Sequence, residues 1–211
     1  MLDDIFNKSE FLESNNDIFI KVLDKYYKQI SIYDLIFVTK NSNLLIDKIN
    51  SIDVNSLFNS YIHGASHAIR VSILANYIGK SYHLNNDQIE LLIDSAIYHD
   101  IGRINDLDDV EHGYRSSLLI DNIIFNKDLV YMNNLKAIIT SHSYDDSYDE
   151  DIISHYDYLY DNIRFLISIF KDSDALDRVR TNDLDSSYLR CNMSKSLIKT
   201  SYDLYNNMKK D

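Results

Sequence analysis

The chain has no proline, no tryptophan, one cysteine and only four glycines. All-β sandwiches and barrels spend many residues on Gly/Pro turns, so this scarcity disfavours them. The lone Cys191 excludes an internal disulfide and any multi-thiolate zinc site. No apolar run approaches the ~20 residues needed to cross a bilayer. The opening Met1-Leu2-Asp3-Asp4 lacks the basic stretch of a secretory signal. These absences predict a soluble, cytoplasmic protein. Cations are also in short supply: the formal net charge is −12. A surface that negative repels a nucleic-acid backbone and argues against a general nucleic-acid binder, while leaving room for a small phosphorylated ligand.

What is present is helical. Hydrophobic residues make up 45% of the 211, enough for a sizeable core, and Asn, Asp and Ser supply the turns. Helical spacing predicts helices over 16–40, 62–80, 86–101, 112–125, 128–142, 156–173 and 187–209, with one or two short helices or a helix and loop over 42–60. Gly79 reads as a C-terminal glycine, and Asn85-Asn86-Asp87-Gln88 as a capping box. The acidic stretch 143–152 reads as an exposed loop, either simply solvated or a substrate lid. No strand is predicted, and the fold class is all-α.

Several helices carry an ionisable residue on the face that should turn inward. His67 leads Val71, Leu74 and Ile78; Asp100 follows Ile89, Leu92, Ile93 and Ala96, with His99 beside it. His112 leads Ser116, Leu119 and Ile123, His142 follows Leu135, Ile138 and Ile139, and Asp174 follows Ile163, Leu166, Ile167 and Phe170. Burying a carboxylate without compensation costs several kcal/mol. Convergence on a divalent metal offsets all of these costs together. A mixed imidazole and carboxylate set suits Mn²⁺, Fe, Co²⁺, Ni²⁺ or Zn²⁺ better than Ca²⁺. His99 and Asp100 are neighbours, so both reach one ion only if it sits off the helix end, where Gly102 lets the chain turn away. His83 and His155 fall outside the pattern and read as surface residues.

The ordered words His63-Gly64-Ala65-Ser66-His67-Ala68-Ile69-Arg70-Val71, Ala96-Ile97-Tyr98-His99-Asp100-Ile101-Gly102-Arg103 and Asp172-Ser173-Asp174-Ala175-Leu176-Asp177-Arg178 resemble the HD-domain superfamily of metal-dependent phosphohydrolases. The resemblance covers about 61–180 and implies an HD-type helical bundle. Residues 1–60 then supply helices that pack on or extend this core, and 181–211 a helix that completes it. It implies that His67, His99, Asp100 and Asp174 bind a first metal, and that His112 and His142 create a second site with Asp100 as the bridge. One or two ions are expected, with Mn or Fe favoured and Co, Ni or Zn possible. The implied reaction is attack of metal-bound hydroxide on a phosphoester or phosphoanhydride of a small nucleotide or related phosphate. The two-metal cue is similar to the subgroup that cleaves dinucleoside polyphosphates. His63-x-x-x-His67-x-x-Arg70-Val71 is similar to the subgroup that cleaves nucleoside triphosphates to monophosphate and pyrophosphate. A non-enzymatic nucleotide sensor retaining the metal is the alternative.

Around this set, Asp100, His63 and Arg70 are the catalytic candidates. Arg70 either binds substrate phosphate or pairs with a motif carboxylate. His63 orients substrate phosphate or donates a proton, or else supports the site from behind or belongs to the core. Arg103 and Arg115 either bind phosphate or form salt bridges, and Asp177 and Arg178 are expected to support the ligands.

Overall fold

The computed structural model describes residues 30–208. Among them are ten α-helices and no strand: α1 (Ile32–Lys40), α2 (Asn43–Asn50), α3 (Ala65–Ser81), α4 (Asn86–Tyr98), α5 (His112–Leu119), α6 (Leu129–Ser141), α7 (Asp149–Ser154), α8 (Ile163–Leu176), α9 (Asn192–Lys195) and α10 (Ile198–Met208). The all-α class expected from the sequence is the class observed. The part of the expected 16–40 helix before residue 30 lies outside the described residues. No helix among them is long and apolar enough to cross a membrane.

Helices α3, α4, α6 and α8 pack around one core, and α5 lies along α6. Helix α3 is its axis: every residue from His67 to Gly79 is buried, the pattern of a helix enclosed on all sides. Helix α4 begins with the expected capping box, Asn85 accepting from the Gln88 amide.

Gly79 does not end α3, which continues two residues further. The stop is a Schellman turn: the Leu84 amide donates to the Gly79 carbonyl at 3.1 Å and the His83 amide to Lys80 at 3.0 Å. His83, exposed, takes the left-handed position with φ 56°. Gly79 serves packing instead, since a Cβ there would meet Ile89 Cδ1 at 2.7 Å.

Three further expectations are revised. The stretch 143–152 is partly helical, a 3₁₀ turn at Asp146–Tyr148 leading into α7. It is tied down rather than free, because Lys171 Nζ bonds Asp146 at 2.9 Å and Asp149 at 2.8 Å. Helix α8 begins only at Ile163, after a turn in which Tyr158 has φ 56°. The expected 187–209 helix is broken into a 3₁₀ turn, α9 and α10. The buried Asp172 carboxylate explains the break: it takes the amides of Arg190 at 2.9 Å and Cys191 at 2.7 Å, which a continuous helix would use internally.

Candidate metal centre

The bundle brings His67, His99, Asp100, His112, His142 and Asp174 together. His67 lies in the first turn of α3, and Asp174 in the last turn of α8. His99 and His142 are the C-terminal cap residues of α4 and α6, and His112 opens α5. Helix α4 thus stops at Tyr98, and Asp100 sits in the turn beyond it. Gly102 has no positive φ; it permits close approach, because a Cβ would lie 2.4 Å from the Ser116 amide nitrogen.

The ligand atoms form two triads, His67–His99–Asp100 and Asp100–His112–His142, each with its atoms within 4.8 Å of one another. Asp100 belongs to both. Its Oδ2 lies 3.5 Å from His67 Nε2 and 3.3 Å from His99 Nε2. Its Oδ1 lies 3.1 Å from His112 Nε2 and 3.9 Å from His142 Nε2. Asp174 Oδ1 joins the first triad, 3.3 Å from His67 Nε2, and its side chain is the more open carboxylate at 27% exposed.

The imidazole tautomers follow from the partners. The Nδ1 atoms of His99, His112 and His142 face the carbonyls of Ala96 (3.0 Å), Asp109 and Ile139 (2.5 Å). A carbonyl only accepts, so each Nδ1 carries the proton and donates it. His67 Nδ1 faces Asp177 Oδ2 at 2.7 Å. All four Nε2 atoms therefore turn their lone pairs inward when the rings are neutral, the usual arrangement of metal-binding histidines. Ser116 braces the ring bearers, its hydroxyl donating to the carbonyls of His99 (2.5 Å) and His112 (2.9 Å) and accepting from the Gly102 amide (2.8 Å).

Such an arrangement crowds acceptor atoms that only a cation or a proton can reconcile. His67 and His99 Nε2 are 3.0 Å apart, and His112 and His142 Nε2 are 2.8 Å apart, so bare lone pairs would repel. Two ligands at the ~2.1 Å typical of metal–imidazole bonds, held at right angles on one ion, stand about 3.0 Å apart. Asp100 Oδ2 is buried with no hydrogen-bond partner among the described residues, at a cost that an ion would remove. The residues therefore fit divalent transition metals with nitrogen and oxygen ligands. In the metal-free chain a proton takes the ion's place. Burial and Arg180 lower the His67 pKa, but the nearby carboxylates of Asp100, Asp174 and Asp177 outweigh them and raise it to about 9. Burial raises the carboxyl pKa values of Asp100 and Asp174, yet the surrounding histidines pull both well below the usual range. Burial and the neighbouring His112 and His99 hold His142 well below its usual value, so it stays neutral.

The remaining candidates surround this centre. Arg70 is committed to a carboxylate: Nε donates to Asp177 Oδ1 at 2.6 Å and Nη2 to Oδ2 at 2.9 Å. Of the two roles open to it, the geometry displays the pairing role. Asp177 in turn fixes the His67 ring. Arg103 Nε donates to Asp100 Oδ1 at 2.7 Å. Arg115 pairs with Asp109 and donates to the Gly102 carbonyl at 2.9 Å. His63 Nδ1 faces Asp106 Oδ1 at 2.8 Å, and its ring stands edge-on to His67 with centroids 5.9 Å apart. His155 is exposed. Sequence reasoning missed the bracing role of Ser116, signalled only by its position four residues after His112, and missed the cleft beside the centre. That cleft of about 360 Å³ is lined by His142 and Asp174 together with Lys171, Arg178, Tyr188 and Arg190.

A family model described as HD domain matches residues 64–178, more than half of the chain and all six convergent residues. No curated protein and no solved structure matches the chain.

Proposed function

The chain belongs to the HD domain family, whose members are generally metal-dependent hydrolases, and on that premise we propose that it hydrolyses a phosphoester or phosphoanhydride of a small nucleotide or related phosphate. The observation that carries this reading is the position of Asp100. It offers one oxygen to each histidine pair, and the oxygen facing His67 and His99 has no hydrogen-bond partner among the described residues.

Divalent ions held by His67, His99, Asp100 and Asp174 and by Asp100, His112 and His142, with Mn or Fe favoured, supply charge neutralisation at phosphate and acidify water near neutral pH. The chain's own residues do the rest. Asp177 and Arg70 hold the His67 ring in the orientation that ligation needs. Arg103 offsets the charge of Asp100. The cleft lies within the usual size range for a small-ligand site. Arg178 at its rim pairs with Asp183 on a half-exposed surface, a pairing weak enough for a substrate phosphate to replace. His63, oriented by Asp106 and half-buried, makes no hydrogen bond through Nε2 among the described residues. In the protonated ring that nitrogen carries the proton that passes to the leaving oxygen as the bond to phosphorus breaks, the ring returning to its neutral form. Burial lowers the His63 pKa despite Asp106, so the protonated form is the minor one near neutral pH and a stronger acid, and turnover through it falls as pH rises.

The test is a screen of Mn²⁺-loaded protein against nucleoside mono- and triphosphates, dinucleoside polyphosphates and an aryl phosphate. The reading predicts release of phosphate, pyrophosphate or nucleotide that falls to background in Asp100→Ala. Tight nucleotide binding without product under any metal would instead mark a sensor.

A further inference from the structure

The cleft beside the metal centre has one wall that the metal chemistry leaves unexplained. That wall carries Tyr188, which besides His142 is the only aromatic residue lining the cleft among the described residues. Tyr188 is 69% exposed. Among the described residues its ring meets no other ring and its hydroxyl makes no hydrogen bond. Single exposed aromatics are ordinary, but this one stands on a backbone that is fixed on both sides.

Before the ring, Asp185 caps the 3₁₀ turn Ser186–Tyr188, its side chain accepting from the Ser187 amide at 2.8 Å. The Tyr188 amide closes the turn on the Asp185 carbonyl at 3.3 Å. After the ring, Leu189 is buried in the core, and the Asp172 carboxylate holds the amides of Arg190 and Cys191. Arg190 Nη1 donates to the Tyr188 carbonyl at 3.1 Å, while its Nε and Nη2 donate to Asp146 at 2.9 and 2.6 Å. The clamp that breaks the last helix therefore fixes an open phenol ring in the cleft that Asp174 and His142 also line. A tyrosine has two side-chain torsions, so ordering it under a flat ligand costs little entropy. Ala175 and Leu184, both half-buried, add apolar surface to the same cleft.

We propose that Tyr188 is a stacking platform for the substrate's base, so that the cleft selects nucleotides over sugar phosphates that bear the same phosphate. This rests on the reading of the cleft as the substrate site. With the phosphate at the metal centre, the base lies flat on the phenol ring, a contact that tolerates any of the bases because each has a π-face. The hydroxyl takes no part.

The test is calorimetric titration of the Mn²⁺-loaded chain with adenosine monophosphate and with ribose 5-phosphate, which lacks only the base. The wild type should bind the nucleotide about tenfold more tightly. Tyr188→Ala should remove most of that margin by weakening the nucleotide alone, and Tyr188→Phe should keep it. Where either compound is hydrolysed, kcat/KM replaces affinity in the same ratio. Thermal melts check the variants, and Tyr188→Leu, which keeps bulk without a π-face, decides if Tyr188→Ala does not fold. Three results would overturn the proposal: no preference for the nucleotide in the wild type, a margin that survives in the folded variants, or equal weakening of both compounds, which would mark a structural role. Hydrolysis is scored separately. The predicted margin without turnover of any nucleotide would sink the hydrolase reading and leave the platform standing, and turnover without the margin would do the reverse.

Discussion

Two carboxylates six residues apart near the end of one helix, Asp94 and Asp100, are both buried, and they could hardly be treated more differently. Asp94 is fully partnered: Lys48 Nζ reaches it at 2.8 Å and Tyr131 Oη at 2.7 Å, while Lys48 and Lys127 also hold Glu90. It ties α2, α4 and α6 together. Asp100 faces four imidazoles and one arginine and still leaves an oxygen without a hydrogen bond among the described residues. Burial raises the pKa of Asp94, with Lys48 only partly opposing it, whereas the histidines drive that of Asp100 far down. A buried acid with both oxygens partnered is architecture. One left open among inward-facing lone pairs is a place for a cation.

The largest contrast expected is between function and stability. Asp100→Asn should abolish turnover while the metal-free fold survives. Lys48→Met strands Asp94 and should cost about 3 kcal/mol of stability with metal uptake intact; chemical denaturation and metal analysis on both variants check this. If Asp100→Asn instead unfolds the chain and Lys48→Met empties the site, the contrast fails.

Next is the support beneath His67. Asp177→Asn should lower metal affinity by about 10–100-fold, read by competition with a chelator. An unchanged affinity would mean that Asp177 only anchors Arg70.

The pH dependence comes third. Metal-free His67 keeps its second proton up to about pH 9, so a binding ion must displace it. Affinity should fall by roughly tenfold per unit as pH drops from 9 toward 7, with proton release detectable in weak buffer. In chelator the sign reverses. The folded pKa exceeds the unfolded value near 6.5, so the stabilisation is complete below about 6.5 and is lost as pH rises through 9. Melts across that range test it.

The smallest effect belongs to Arg164→Ala. Its pairing with Glu150 is exposed on both sides, so the melting temperature should not move.

Much of this was legible in the sequence for a physical reason. His67, Asp100, His112, His142 and Asp174 break apolar stripes, and a buried charge needs an explanation wherever it occurs. The capping box at Asn85 was equally readable because it is local. What escaped depends on distant partners. The claim of Asp172 on the Arg190 and Cys191 amides, which breaks the last helix, joins residues that periodicity cannot connect. The anchoring of 143–152 depends on Lys171 from α8. Gly79 was misread because a glycine near a helix end serves equally as a stop or as space for a neighbour, and here Ile89 decides.

The central claim, that one carboxylate joins two metal sites, is tested most directly by electron paramagnetic resonance of the chain saturated with Mn²⁺. The account predicts the spectrum of an exchange-coupled pair, absent in Asp100→Asn. A wild-type spectrum showing only isolated ions at saturation, or coupling that persists without Asp100, would contradict it.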